Sequence, residues 1–180
     1  MTQGRFIAVV GPSGVGKDSV MEALIAANPD FHRVRRAITR PAAAGGEDFE
    51  GVTPAEFDAR RAAGGFALWW SAHGLLYGIP ASVHKTLALG VDVLANLSRA
   101  QLAAAAGTFP TLHVLHITAE PEVLARRLAA RGRETPEDIR ARLSREVSLP
   151  DDLRVTQIDN GGRLDDSVQA ALSALYPESV

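Results

Sequence analysis

At 180 residues, with 46% hydrophobic and 22% charged side chains, the chain is sized for one domain with a substantial core. Its formal net charge of −2 gives no overall attraction to nucleic acid or to an anionic membrane, so any anion it binds must be held by local basic groups. The lack of cysteine excludes disulfides and thiolate metal sites, and the first apolar run is too short for a secretory signal or a membrane span, which reads as a cytoplasmic protein.

Phe6 to Val10 is a continuous apolar run, the signature of a strand covered on both faces. Gly11 to Gly16 breaks it, and Asp18 to Ala27 follows with helical spacing until Asn28-Pro29. Phe31 to Thr39 reads as one strand carrying Arg33, Arg35 and Arg36, and Pro41 to Gly51 as a turn-rich loop. Thr53-Pro54-Ala55-Glu56 opens a helix, with a Thr cap and Pro at the first helical position. Phe66 to Trp70 is a short apolar run, and His73 to Gly78 a turn or hairpin end. Ala81 to Leu89 is a helix capped by Gly90, Val91 to Leu97 a buried strand, and Gln101 to Ala106 an alanine-rich helix. Leu112 to Ile117 is a strand bordered by His113 and His116, Glu120 to Ala130 a helix, and Thr135-Pro136 the start of another. Arg154 to Ile158 is a late strand and Ser167 to Leu175 the closing helix. Strands alternating with helices predict an α/β fold on a mostly parallel sheet.

Gly11-Pro12-Ser13-Gly14-Val15-Gly16-Lys17 matches G-x-x-x-x-G-K between that first strand and helix. Gly14 and Gly16 permit positive φ, so that successive N–H groups turn inward around an anion. The helix N-terminus adds its dipole, and Lys17 reaches the β- and γ-phosphates as a point charge. The motif implies a phosphotransferase that binds ATP on Gly11–Asp18 and passes its terminal phosphoryl group to a small phosphorylated acceptor. A hydroxyl residue ordinarily follows the lysine and binds Mg²⁺. Here Asp18 stands in that place and Ser19 follows it. Either Asp18 or Ser19 is the residue linked to Mg²⁺, or Asp18 caps the helix.

Arg126, Arg127, Arg131, Arg133, Arg140, Arg142 and Arg145 crowd a helix–break–helix whose apolar face is Leu124, Leu128, Ile139 and Leu143. Arginines placed so fold over a triphosphate as a lid, and Arg131 and Arg142 are the expected catalytic pair, with Arg127 beside the ATP. Arg40 is the first candidate to hold the acceptor's phosphate, with Arg36 and Arg33 behind it. Asn96, Ser98 and Arg99 follow a buried strand, where ligands gather in open parallel sheets. His73 and Tyr77 flank a turn near the site, Glu47 and Asp48 suit sugar hydroxyls or Mg²⁺, and His32 and His84 read as surface residues. Trp69 and Trp70 read as rim and core.

Together these pieces resemble the guanylate kinase superfamily over nearly the whole chain. Gly11 to Lys17 is similar to its loop, Thr39-Arg40-Pro41 to its T-T-R segment with Gly46-Glu47 after it, and Gly74 to Gly78 to its G-x-Y-Y-G. Arg131-Gly132 and Arg142-Leu143 match its lid arginines, and Asn160-Gly161-Gly162 a turn near the adenine. The resemblance implies a three-layer P-loop fold in one domain, with a core of about 1–34 and 80–180, an acceptor-binding insertion of about 35–79 and a helical lid of about 127–145. The chain departs from the family where a guanine would be read. Leu68 replaces the carboxylate before Trp69, Ala42-Ala43-Ala44 follows Pro41 where a second arginine is expected, and Ala95-Asn96-Leu97-Ser98 replaces a D-x-D pair. Gly11–Ser19, Ile38–Arg40, His73–Gly78 and Asn96–Ala100 are similar instead to a narrower group, the ribose 1,5-bisphosphate phosphokinases of phosphonate degradation. That resemblance implies ATP with Mg²⁺, a small phosphorylated sugar as acceptor at its 1-phosphate, and 5-phosphoribosyl 1-diphosphate as product. A homodimer is compatible with it. The alternatives are a guanylate kinase, which Leu68 opposes, a silent protein-binding module, which Lys17 opposes, and an ATP sensor.

Overall fold

In the computed structural model, which describes residues 2–12, 14–41, 48–130, 132, 135–143 and 149–177, the first apolar run is strand β1 (Phe6–Val10), every residue of it buried. Its two faces feed different cores. Phe6, Ala8 and Val10 join one cluster, and Ile7 and Val9 the other, the alternation that a strand between two helical layers requires. Four strands complete the sheet: β2 (His32–Arg33), β7 (Val93–Asn96), β8 (Leu112–Thr118) and β9 (Val155–Asp159), in the order β2-β7-β1-β8-β9. All their pairings are parallel. Helices α1 (Lys17–Ala27) and α7 (Leu164–Leu175) cover one face, and α3 (Val83–Ala88) and α4 (Leu102–Thr108) the other. Helices α5 (Pro121–Ala129) and α6 (Pro136–Leu143) pack on each other through Ala125, Leu128 and Ile139. Among the described residues no helix is long and apolar enough to cross a membrane.

A second sheet forms between β2 and α3. It comprises β3 (Ala37–Ile38), β4 (Glu50–Gly51), β5 (Phe66–Ala72) and β6 (Leu75–Pro80), in the order β4-β3-β6-β5. The segment Phe31 to Thr39, expected as one strand, is therefore two short ones in different sheets. Val34 ends the first by donating its N–H to the Leu94 carbonyl, and Thr39 closes the second by donating to the Leu76 carbonyl. The chain crosses from core to second sheet between them. Helix α2 (Pro54–Ala62) covers the outer side of this sheet with Phe57, and Thr53 Oγ1 caps it by accepting from the Glu56 N–H at 3.1 Å.

His73 and Gly74 form a two-residue turn between β5 and β6, both with positive φ (53° and 73°), the geometry a tight hairpin demands. His113 and His116 sit inside the seven-residue β8 rather than at its borders, and His113 Nε2 lies 2.8 Å from Thr156 Oγ1 on β9. Helix α7 begins at Leu164, earlier than its apolar spacing suggests, because Asp165 and Asp166 supply a favourable acidic first turn. Trp70 is core and Trp69 is rim, as expected.

Candidate active site

The site is built where β1 ends. Gly14 and Gly16 adopt φ of 82° and 92°, which side chains resist, and α1 starts at once on Lys17. No side chain caps α1, so its first N–H groups remain directed at the loop, and Asp18 is not the helix cap. Lys17 Nζ donates to the Gly11 carbonyl at 2.9 Å, which folds the lysine back over the loop it must serve.

Arg127 and Asn160 grip this loop from outside. Asn160 Nδ2 donates to the Val15 carbonyl at 2.8 Å, while Asn160 Oδ1 accepts from Ser167 Oγ at 2.7 Å. Arg127 donates to the Gly14 and Val15 carbonyls at 3.4 and 3.3 Å, and to the Asn160 carbonyl at 2.8 Å. Carbonyls held outward leave the loop's N–H groups free to face an anion. The sequence suggested that these two residues touch ATP. The structure shows both side chains hydrogen-bonded to the loop, and Asn160 is buried.

A cluster of cations faces the loop. Burial lowers Lys17 to about 8, helped by the charges of Arg99 and Arg36 and opposed by Asp18. Burial likewise lowers Arg36 to about 10, with Tyr77 and Asp18 opposing and Arg40 and Arg33 assisting. Burial also lowers Arg99, and it lowers His116 together with the charge of Arg99. Asp18 Oδ1 lies 3.6 Å from Arg33 Nη2, too far for a hydrogen bond, and is buried without one. An orphaned carboxylate oxygen beside Lys17 fits a hard cation, whereas Ser19 is exposed. The lowered Lys17 carries an expected pH dependence. The protonated amine is the form that binds phosphate, so kcat/KM for ATP should fall as pH rises through about 8. A profile level to about pH 9.5 would show that the amine stays charged.

The inner face of the second sheet forms the opposite wall. Leu68 pairs with Ile79 and Trp70 with Tyr77 across β5 and β6. The Trp70 and Tyr77 rings stack at 5.5 Å, the Arg36 guanidinium lies 5.2 Å from the Tyr77 ring, and that of Arg40 lies 4.5 Å from the Phe49 ring. Leu68 is 8% exposed and packs in the main core, so this wall presents an apolar surface where guanine recognition needs an acceptor. Asn96 ends β7, and Ser98 and Arg99 start the short 3₁₀ turn after it. His73 is exposed at its hairpin tip. Ser13, Glu47, Arg131, Arg133 and Arg145 lie outside the described residues, and of Arg142 only the backbone is described, within α6. Arg36, placed behind Arg40 in the sequence reading, is buried. Its signal was the apolar Ala37-Ile38 that follows, which carries the chain into a buried sheet.

Residues 3–173 match the model of the guanylate kinase family. The chain is 48% identical over 178 residues to the ribose 1,5-bisphosphate phosphokinase PhnN of Ruegeria sp. (strain TM1040), covering 98% of this chain and 94% of that protein. It is 49% identical to the protein of the same name from Pseudomonas paraeruginosa, over 96% of this chain and 95% of that one. Among solved structures, guanylate kinase from Anaplasma phagocytophilum superposes with a TM-score of 0.74 at 17% identity, covering 98% of this chain and 87% of that one.

Proposed function

The chain belongs to the guanylate kinase family, and from that premise we propose that it transfers the γ-phosphoryl group of ATP to the 1-phosphate of ribose 1,5-bisphosphate, giving 5-phosphoribosyl 1-diphosphate and ADP. The observation that carries this reading is the near-half identity, end to end, to relatives named for that activity. The apolar Leu68 wall beside a cluster of arginines supports it, because a sugar bisphosphate needs cations rather than base-reading acceptors.

An oxygen of the acceptor phosphate is already anionic near neutral pH, so it attacks without a general base. The new bond forms from that oxygen to the γ-phosphorus, and the bond to the β–γ bridging oxygen breaks, its electron pair leaving with ADP. Catalysis is then positioning and charge neutralisation. The loop Gly11-Pro12-Ser13-Gly14-Val15-Gly16, with the start of α1, would bind the ATP phosphates through its N–H groups (Pro12 has none), and Lys17 would bridge the β- and γ-phosphates. From the sequence, Arg131 and Arg142 are the arginines that would neutralise charge on the transferring group. Arg40, Tyr77, Asn96, Ser98 and Arg99 are the candidates for the acceptor side, with His73 and, from the sequence alone, Glu47. Asp18, more than Ser19, would hold Mg²⁺, which when bound offsets phosphate charge. The second sheet falls within the proposed acceptor-binding insertion, and the protein would work in the cytoplasm.

Coupled ADP release with Mg-ATP and either ribose 1,5-bisphosphate or GMP tests the reading. Turnover is expected with the sugar bisphosphate. Turnover with GMP instead would make the protein a guanylate kinase despite Leu68.

A further inference from the structure

Arg33 closes β2, the edge strand of the parallel sheet, and its register partner is Leu94. The Leu94 side chain lies in the core beneath α1, and partners in a parallel register share a face, so Arg33 projects on the α1 side. There the sheet ends, and the arginine meets two carboxylates of the helix. Asp18 and Glu22 are four residues apart and therefore stand one above the other on α1. Arg33 Nη2 lies 3.6 Å from Asp18 Oδ1, and Nη1 lies 3.8 Å from Glu22 Oε1. One guanidinium thus faces two anions, one nitrogen toward each.

Neither contact is a hydrogen bond. Arg33 Nη2 and Asp18 Oδ1 are both buried atoms, and both lack a hydrogen-bond partner. Arg60 shows what this chain does when an arginine is meant to clamp a carboxylate: it donates to both oxygens of Glu50, at 2.9 and 2.7 Å. Arg33 divides its fork instead. The Asp18 carboxylate is balanced by a nearby cation, yet its oxygen remains available to a tighter partner. Asp18 directly follows Lys17, where the loop's metal-linked residue is expected.

We infer that Arg33 is a positioning residue for the metal ion: it steadies the Asp18 carboxylate in the free protein and releases it to Mg²⁺ by turning its guanidinium to Glu22. This inference rests on the reading of Asp18 as the Mg²⁺ ligand. Arg33 then competes with the metal, and Glu22 assists the metal by drawing the competitor away. The two residues belong to one ion-pair cluster but act on metal affinity in opposite directions. A purely structural tie between β2 and α1 has no such property, because loss of either partner would loosen it in the same sense.

Mn²⁺ titrated into the ADP-bound protein, followed by the EPR signal of the free ion and corrected for binding to free ADP, tests this. Arg33→Met should tighten Mn²⁺ about tenfold, since a positive charge next to the ligand oxygen is gone. Glu22→Gln should weaken it about threefold, the smaller effect expected of a carboxylate whose side chain is 69% exposed. Arg33→Lys keeps the charge and should stay within about threefold of wild type, which guards against a trivial effect of misfolding. Asp18→Asn should weaken Mn²⁺ about tenfold or more. Unchanged Mn²⁺ affinity in Arg33→Met together with a lowered Tm would make the arginine a structural tie and overturn the inference, as would shifts of the same sign in Arg33→Met and Glu22→Gln. If Asp18→Asn binds Mn²⁺ like the wild type, the metal reading of Asp18 falls and takes this inference with it. If Asp18→Asn is weakened and Arg33→Met is unchanged, the metal reading stands and only the role of Arg33 is lost.

Discussion

Lys17→Met is expected to lower kcat by at least 10³-fold while leaving the protein as stable as before, or slightly more so. The two halves of this result share one cause. Lys17 is half-buried among like charges, with Arg99 and Arg36 both disfavouring its protonated form, and its hydrogen bond runs to a single carbonyl, that of Gly11. In the free protein the ammonium is held at a cost, and methionine of similar length removes the repulsion. In the transition state the same ammonium neutralises charge on the transferring phosphoryl group, an effect of about 4 kcal/mol for a 10³-fold change. Lys17→Arg should rescue little, because a planar fork does not fit a loop shaped for a point charge. Thermal melts beside initial rates decide the matter. A Tm lowered by more than about 5 °C in the methionine variant would mean that the lysine supports the loop rather than the chemistry.

The phosphate loop was legible in the sequence because everything that defines it is local. Seven consecutive residues set the turn, the positive φ of Gly14 and Gly16 and the start of α1. Likewise β1 announced itself as an unbroken apolar run, and the buried β7 as a mostly apolar one broken only by Asp92 and Asn96. Legibility failed where the outcome depends on distant partners. Nothing in Phe31 to Thr39 distinguishes one strand from two, because the division is made by Leu94 on one sheet and Leu76 on another. The same division hides Arg36: among neighbouring arginines its composition reads as surface, yet the turn into the second sheet buries it. His73, whose place beside Gly74 and Tyr77 suggested chemistry, stands at the tip of a two-residue hairpin with positive φ, a geometry set by the pairing of β5 with β6. Asn160 illustrates a third kind of difficulty. Its segment was singled out for a place near the adenine, but the bonds its amide makes, to Val15 and Ser167, join residues far apart in sequence.

Asn160→Asp separates those two roles sharply, because it changes one donor into an acceptor at almost constant shape. In the structure, Nδ2 donates to the Val15 carbonyl at 2.8 Å and sits where a Cβ added at Gly16 would come within 2.8 Å, so there is no room for the side chain to turn away. A carboxylate oxygen in that place would face the Val15 carbonyl oxygen, acceptor against acceptor, inside a residue that is 6% exposed. Ser167 Oγ would still donate to the other oxygen, and Arg127, bonded to the Asn160 backbone carbonyl, would offset part of the charge. The net expectation is a loss of about 3 kcal/mol in stability, from one unsatisfied contact and one poorly paired buried charge. With the Val15 carbonyl no longer pinned outward, the loop's N–H groups lose their common aim, and KM for ATP should rise about tenfold or more. Asn160→Ala should do less on both counts, since it removes the bond without adding the repulsion. Denaturant melts and ATP titrations of the two variants give the ranking. If Asn160→Asp left stability intact and altered instead the preference between ATP and GTP, the side chain would belong to adenine recognition. The loop would then owe its shape to Arg127 and its glycines alone.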